Sequence, residues 1–307
     1  MIGAIIADQL GNQMMRYAFV RSLKEKRNKN EDIYLYFSKS FYKGKDGDSL
    51  KFFNTNYIRI EHNPLFKYGS LKQIFMYLAY GIDTKIIKKI CKSNIDRRIK
   101  WFPRLWKCGI LYSMNNKDLF DTPQQKNVFA HGDYQNPQHF NQIKNILKKE
   151  FTPKTPIKEE NIELYSIINN TNSVCVHFRR GDYFEIDKYR KTLYLCDENY
   201  IHQAINIIKQ KIDNPTFIFF SNDIEYMKKN IDVGNCPVYY ESGNDPVYET
   251  FRLMCACKHF IISNSTYSWW AQYLSNNPNK IVISPNRWYN VDLKSMLIED
   301  SFIKINV

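Results

Sequence analysis

The chain has 307 residues, 44% apolar and 15% aromatic, which excludes a disordered protein and leaves room for two ordinary domains or one large one. Its 44 Lys and Arg against 31 Asp and Glu leave a net charge of +13, which suits a phosphorylated small substrate, an anionic membrane surface or nucleic acid. Runs such as KEKRNKNE and KNILKKE also read simply as solvated helix faces and loops. Seven cysteines, with no CxxC pair, make a poor disulfide framework and do not fit the usual zinc knuckle. Cys255 and Cys257 read as small buried hydrophobes on a helix, and a reducing compartment is expected. MIGAIIADQLG has no basic n-region, and no apolar run approaches the ~20 residues that span a bilayer. A cytoplasmic protein is expected, with the inner membrane face as a candidate peripheral contact.

MIGAII reads as a strand of β-branched residues, followed by a polar loop and the helical run NQMMRYAFVRSLKEK; IYLYF, Ile33 to Phe37, reads as a second strand. From Ser38 to Thr122 the chain is aromatic, lysine-rich and broken by DGDS and NP, which predicts mixed helices and loops. Within it, LKQIFMYLAYGIDTKIIKKI (Leu71 to Ile90) is either an amphipathic helix packed on a core or a helix lying on a membrane surface. VFAHGDYQNPQHF predicts strand, turn and the start of a helix that ends near Phe151, and TPKTP, Thr152 to Pro156, reads as a linker. Beyond it SVCVHF, TFIFFS, CPVYY, HFIIS and KIVIS alternate with helical runs such as ENYIHQAINIIKQKI, DIEYMKKN and PVYETFRLMCAC. Near-continuous apolar strands between amphipathic helices predict a parallel sheet covered on both faces, which binds ligands at the carboxyl ends of its strands.

Those ends carry the chemistry. His177, Arg179 and Arg180 close SVCVHF, and Gly181 permits a tight turn. Paired guanidiniums suit phosphate because each offers a planar fork of donors and a permanent charge. A structural ion pair of one arginine with Asp182 is the competing reading. In HFIISNSTYSWWAQYL, Ser263, Asn264, Ser265 and Thr266 lie between strand and helix; Ser265 or Thr266 suits the helix cap, with neighbouring hydroxyls and N–H groups facing an anion. Opposite the double arginine, this predicts a pyrophosphate cradle. Trp269 and Trp270 read as packing residues. FIFFSND ends on Ser221, Asn222 and Asp223, a carboxylate suited to a ribose or base edge. QLGNQ, Gln9 to Gln13, forms the first strand–helix junction of the other half, where Asn12 is placed to contact a ligand lying between halves.

These pieces resemble the inverting α-1,2-fucosyltransferases of glycosyltransferase family 11. The resemblance rests on GNQMMRYAF (Gly11 to Phe19), HFRRGDY (His177 to Tyr183), SNDIEYMK (Ser221 to Lys228) and LMCACKHFIISNSTYSWWAQYL (Leu253 to Leu274). GDYQNPQHF, Gly132 to Phe140, is a weaker match, and residues 38–128 are unmatched. The resemblance implies an α/β, GT-B-like protein: two Rossmann-type domains with parallel sheets facing a central cleft. Residues 1–155 would be the acceptor-side domain and 156–307 the GDP-fucose-binding one, with a last helix able to pack back on the first. It further implies donor binding by His177, Arg179, Arg180, Asp223, Ser265 and Thr266, with no metal and no cofactor beyond the GDP-L-fucose substrate. Arg179 would act on the leaving diphosphate, Asn12 would reach the diphosphate and sugar, and the acceptor would be a galactose-terminated glycan.

This chain departs from the family in having Asp8 and Gln9 where two glycines are usual, Arg16 where glutamine is usual and Thr250 where aspartate is common. Asp8 is a candidate general base, since it adjoins Asn12. Three alternatives remain: a metal-dependent transferase using Asp46-Gly47-Asp48 as a DxD motif, a GDP-fucose enzyme with a protein acceptor, and a basic nucleic-acid-binding protein. FPRLWKCGILY, Phe102 to Tyr112, is the nearest approach to a basic, aromatic-interleaved patch, but no nucleic-acid module accompanies it and no nucleic acid is expected as a partner.

Overall fold

Four of the five residues of Ile2–Ile6 are fully buried, as befits a strand with neighbours on both sides. In the computed structural model, which describes residues 1–27, 30–38, 41–43, 46–90, 95–113, 121–291 and 293–307, this strand (β1) is central to the first of two units. That unit comprises Met1–Lys51 and Thr55–Ile146. It contains α1 (Leu10–Arg27), β2 (Ile33–Phe37), β3 (Ile58–Ile60), α2 (Pro64–Tyr68), α3 (Leu71–Ile90), α4 (Ile95–Lys107), β4 (Ile110–Ser113) and β5 (Val128–Gly132). The sheet is parallel throughout, in the order β3-β2-β1-β5-β4. Helix α1 ends on Lys24, Lys26 and Arg27, cations placed where the helix dipole is negative.

The chain enters the second unit within α5 (Lys144–Glu150). There follow α6 (Ile162–Asn170), β6 (Asn172–Phe178), α7 (Gly181–Glu185), α8 (Asp187–Thr192), α9 (Glu198–Lys211), β7 (Pro215–Ser221), α10 (Ile224–Asn230) and β8 (Val238–Tyr240). Helix α11 (Val247–Ala256), β9 (His259–Ile261), α12 (Thr266–Leu274), β10 (Val282–Pro285) and β11 (Ile303–Ile305) complete it. The second sheet is also parallel, ordered β11-β10-β9-β6-β7-β8. Val174, Val176 and Phe178 of β6 and Phe217 and Phe219 of β7 join Tyr200, Ile201, Ala204, Ile205 and Ile208 of α9 in one buried cluster. Burying each such large side chain contributes roughly 1.5–3 kcal/mol.

Three strands escape the sequence reading. β3 and β4 fall in the stretch expected to hold helices and loops, and β3 buries only Ile60. The chain ends on β11, paired with β10, rather than on a helix packing back on the first unit. The second unit also claims Phe52–Asn54 from the N-terminal half. Phe53 is fully buried there, edge-on to Phe151 and Phe251, and it bridges to Pro153.

Each sheet reverses its strand order once. In the first unit the reversal lies between β1 and β5, in the second between β6 and β9. At such a switch point the loops leaving the two strands diverge, and a crevice opens at their carboxyl ends.

Candidate functional site

At the β6/β9 switch point the structure gathers most of the residues singled out in the second half of the sequence. His177, next to last in β6, is almost fully buried, with Nδ1 2.7 Å from the Ser263 hydroxyl. Burial, reinforced by the Arg179 charge, pushes its imidazole down to about 3, so it is neutral at working pH and acts as a hydrogen-bonding group.

Arg179 donates to Asp182 at 2.9 Å and lies 5.6 Å from the centre of the Tyr183 ring. Arg180 donates to Asp223 at 3.0 Å, with its guanidinium carbon 3.7 Å from the Tyr226 ring centre and 4.2 Å from that of Phe184. The arginine–Asp182 pair of the competing reading is therefore present, but it is one of two pairs. Each guanidinium keeps part of its surface exposed, 20% and 17% of the side chain. Two guanidiniums fixed side by side by carboxylates and rings have the chemistry an anion site requires, a permanent charge and preorganised donors. The stacking of Arg180 on Phe184 and Tyr226 was not foreseen from sequence, although both aromatics stand inside the quoted motifs.

Gly181 has a different role from the one expected. Its φ is ordinary and it opens α7; a Cβ there would overlap the side-chain amide of Asn222. That amide is pinned, because Asn222 Oδ1 accepts from the Arg180 backbone N–H at 3.1 Å. The glycine thus permits close approach between the end of β7 and the double arginine. Asp223 also caps α10 by accepting from Tyr226 N–H, so one carboxylate orients both a helix and Arg180.

The Ser263–Thr266 segment divides its labour. Ser265 occupies the N-cap position of α12 but makes no side-chain cap bond, and Thr266 begins the helix. Asn264 is a structural clamp: its amide donates to the carbonyls of Leu193 and Trp288 at 2.8 and 2.9 Å. Trp269 and Trp270 are fully buried, Trp269 stacked on Tyr273 and Trp270 edge-on to Phe151. At the departure Thr250, the hydroxyl donates to the buried Glu241, whose carboxyl burial pushes up; an aspartate there would set two carboxylates together.

Asp8 and Asn12 belong to the first unit, at its own switch point. Asp8, just past β1, has φ +67°, a left-handed conformation that favours glycine and that aspartate tolerates. Arg16 reaches this turn from α1. It donates to Asp8 at 2.7 Å, to Asp133 just past β5 at 2.9 Å, and to the carbonyls of Ala7 and Gly132. Burial pushes the Asp133 carboxyl up despite the opposing charge of Arg16. The departures at positions 8 and 16 are thus one ion pair. A glycine turned acidic and a nearby glutamine turned basic in one block was the signal available in sequence. Asn12 accepts from the Gln135 amide at 3.1 Å, while Gln13 ties the 42–49 loop through Tyr42 and the Gly47 carbonyl.

The carboxylates of Asp46-Gly47-Asp48 serve that loop. Asp46 binds Lys51 and Arg59, and buried Asp48 accepts from the Tyr57 hydroxyl and from Lys51 N–H. Among the described residues no three His, Cys, Asp or Glu side chains gather as metal ligands. In FPRLWKCGILY, Phe102 and Trp106 are buried in the core rather than displayed between cations.

Against this geometry the comparisons with known proteins agree. The chain is 30% identical over 292 residues to an α-1,2-colitosyltransferase of Escherichia coli, covering 93% of this chain and 91% of that protein. A human galactoside α-(1,2)-fucosyltransferase 1 is 27% identical over 145 residues, 44% of this chain and 40% of that protein. Among solved structures, the NodZ α-1,6-fucosyltransferase soaked with GDP-fucose aligns over 92% of this chain and 94% of that chain, with TM-score 0.51 and 11% identity. That likeness, with the two parallel sheets, gives the fold: an α/β protein of GT-B type. The sequence model of Glycosyl transferase family 11 matches residues 1–306, and the chain belongs to that family of glycosyltransferases.

Proposed function

We propose that this protein transfers L-fucose from GDP-fucose to the 2-hydroxyl of a terminal β-galactoside, with inversion and without a metal ion. One observation carries the reading: two arginines, each held by a carboxylate, stand at the same strand-order reversal as a neutral histidine and a run of hydroxyls. On this reading residues 156–307 bind the nucleotide sugar and residues 1–155 receive the acceptor. The bond between fucose C1 and the β-phosphate oxygen breaks, and the acceptor oxygen bonds to C1 from the opposite face. Charge grows on the departing GDP, so Arg179 and Arg180 stabilise the transition state more than the bound donor. Asp223, Ser265 and Thr266 contribute contacts to the nucleotide and its phosphates, and Asn12 reaches the diphosphate and sugar. The acceptor proton passes to a carboxylate of the Arg16 cluster. Asp8 adjoins Asn12, and Asp133, whose carboxyl burial pushes up, shares the Arg16 guanidinium with it.

A second donor is favoured by the colitosyltransferase relative. Colitose is L-fucose without its 3-hydroxyl, so the same diphosphate wall serves either sugar. The test is incubation with GDP-fucose or GDP-colitose and a panel of galactoside-terminated glycans, with and without EDTA, and product linkage read by NMR. An α-1,2-fucosyl galactoside formed equally well in EDTA is the expected result. Product from GDP-colitose alone shifts the assignment to that sugar, and no product from either donor overturns both readings.

A further inference from the structure

Helix α3 carries apolar side chains on two faces, one packed and one exposed. Its buried positions include Gln73, Tyr80 and Thr84, and the Gln73 amide donates to the carbonyls of Cys108 and Asn127, both at 2.9 Å. Tyr80, with Met76 and Tyr77 beside it, packs on Leu65, Leu105, Ile110 and Phe129, whereas a second apolar set faces solvent: Leu71 is 87% exposed, Phe75 70%, Leu78 48% and Ile82 59%. The spacing of four, three and four residues sets them in one stripe about 16 Å long. Phe66, exposed on the neighbouring α2, packs edge-on to Tyr77 of α3 and extends the patch. Burial on folding does not explain such a stripe, because folding leaves it in water.

Charge identifies what it meets. Residues 64–107 contain 11 Lys and Arg and two Asp, a net +9 out of the chain's +13. Lys67, Lys72, Lys100, Arg104 and Lys107 of this stretch are exposed. A second copy of the chain would bring two such cationic segments together, which disfavours self-association. A nucleic-acid backbone would satisfy the charge but offers little to four large apolar side chains in a row. A bilayer with anionic headgroups supplies both phases at once, an apolar boundary for the stripe and negative charge for its flanks.

We infer that the Phe66–Ile82 face of α2 and α3 is a docking surface for an anionic phospholipid bilayer. The stripe lies at the headgroup–acyl boundary, and the exposed Lys67 and Lys72, next to Phe66 and Leu71 in the chain, meet lipid phosphates. This goes beyond the transfer reaction and does not depend on which sugar is moved.

The test is co-sedimentation of the full chain with vesicles of equal parts phosphatidylglycerol and phosphatidylcholine, and with phosphatidylcholine alone, at about 0.1 M salt. The expected result is pelleting with the anionic vesicles and at least about tenfold weaker partitioning for the Phe75→Ser/Leu78→Ser double variant. Lys67→Glu/Lys72→Glu should weaken it similarly. Both variants alter exposed side chains, so thermal unfolding and transfer to a soluble acceptor should match the parent. Absence of pelleting overturns the inference. So does equal pelleting of the parent and the serine double variant, which would reduce the contact to charge alone. A sedimentation change in the serine variant without vesicles would assign the stripe to self-association and overturn it as well.

Discussion

Arg179 and Arg180 are held differently, and the difference sets what their loss should do. Arg179 pairs with Asp182 three residues along the chain, a local contact between partly exposed side chains worth about 1 kcal/mol. Arg179→Ala should therefore leave the thermal midpoint nearly unchanged while lowering turnover by roughly 10²–10³-fold and weakening GDP binding. Calorimetric GDP titration and a melting curve on the same sample check this; a collapsed midpoint with intact GDP affinity would make the pair structural. Asp8 and Arg16 argue the converse case of a pair that stands in for a family pattern. Asp8→Gly alone leaves buried Arg16 with one carboxylate fewer, and Arg16→Gln alone leaves Asp8 and Asp133 facing each other. Each single change should destabilise the first unit by about 1–3 kcal/mol, and the double variant should recover most of that loss. Denaturant titration of all four proteins gives the coupling. The positions of the double arginine and of the serine–threonine run were legible in sequence because each follows an apolar strand. The Arg16 cluster was not, since its carboxylates lie more than a hundred residues apart.

At the scale of elements, legibility followed burial. β6 and β7 are near-continuous apolar runs and announce themselves; β3 and β11 are short edge strands whose outward residues are polar or exposed, so no period betrays them. α3 is a mixed case. Part of its apolar run, Met76, Tyr77 and Tyr80, packs on the core, while Leu71, Phe75, Leu78 and Ile82 point to solvent, so the run read from sequence serves two faces. The tripeptide Phe52–Asn54 gives a testable element of another kind. Phe53 has no exposed surface and packs on Phe151 and Phe251 of the second unit. Phe53→Ala should lower that unit's stability by about 3–5 kcal/mol, measured by hydrogen exchange at the amides of α11 and α12, although residue 53 lies far from them in sequence.

For the whole molecule, acid is the condition to watch. Burial pushes His139 down to about 4 and His177 to about 3, against about 6.5 in an unfolded chain. Below about pH 6.5 the unfolded chain binds protons that the folded one refuses, so stability is full above that pH and falls toward the folded values. Between pH 7 and 5 each of the two should remove up to about 2 kcal/mol. Urea midpoints at the two pH values should differ accordingly, and the slope should shrink in a His177→Gln variant.

The Phe52–Asn54 segment also sets an order of events during synthesis. Because the chain passes from one unit to the other three times, at residues 51–52, 54–55 and 146–147, the units are not beads made one after the other. Phe53 leaves the ribosome about a hundred residues before Phe151 and about two hundred before Phe251, and until then its ring has no permanent place. The nascent chain must keep that hydrophobe soluble while β3 to β5 assemble around the gap it leaves in the first sheet's sequence. A chain cut at residue 147 would begin the second unit without it, so neither unit is encoded by one continuous stretch.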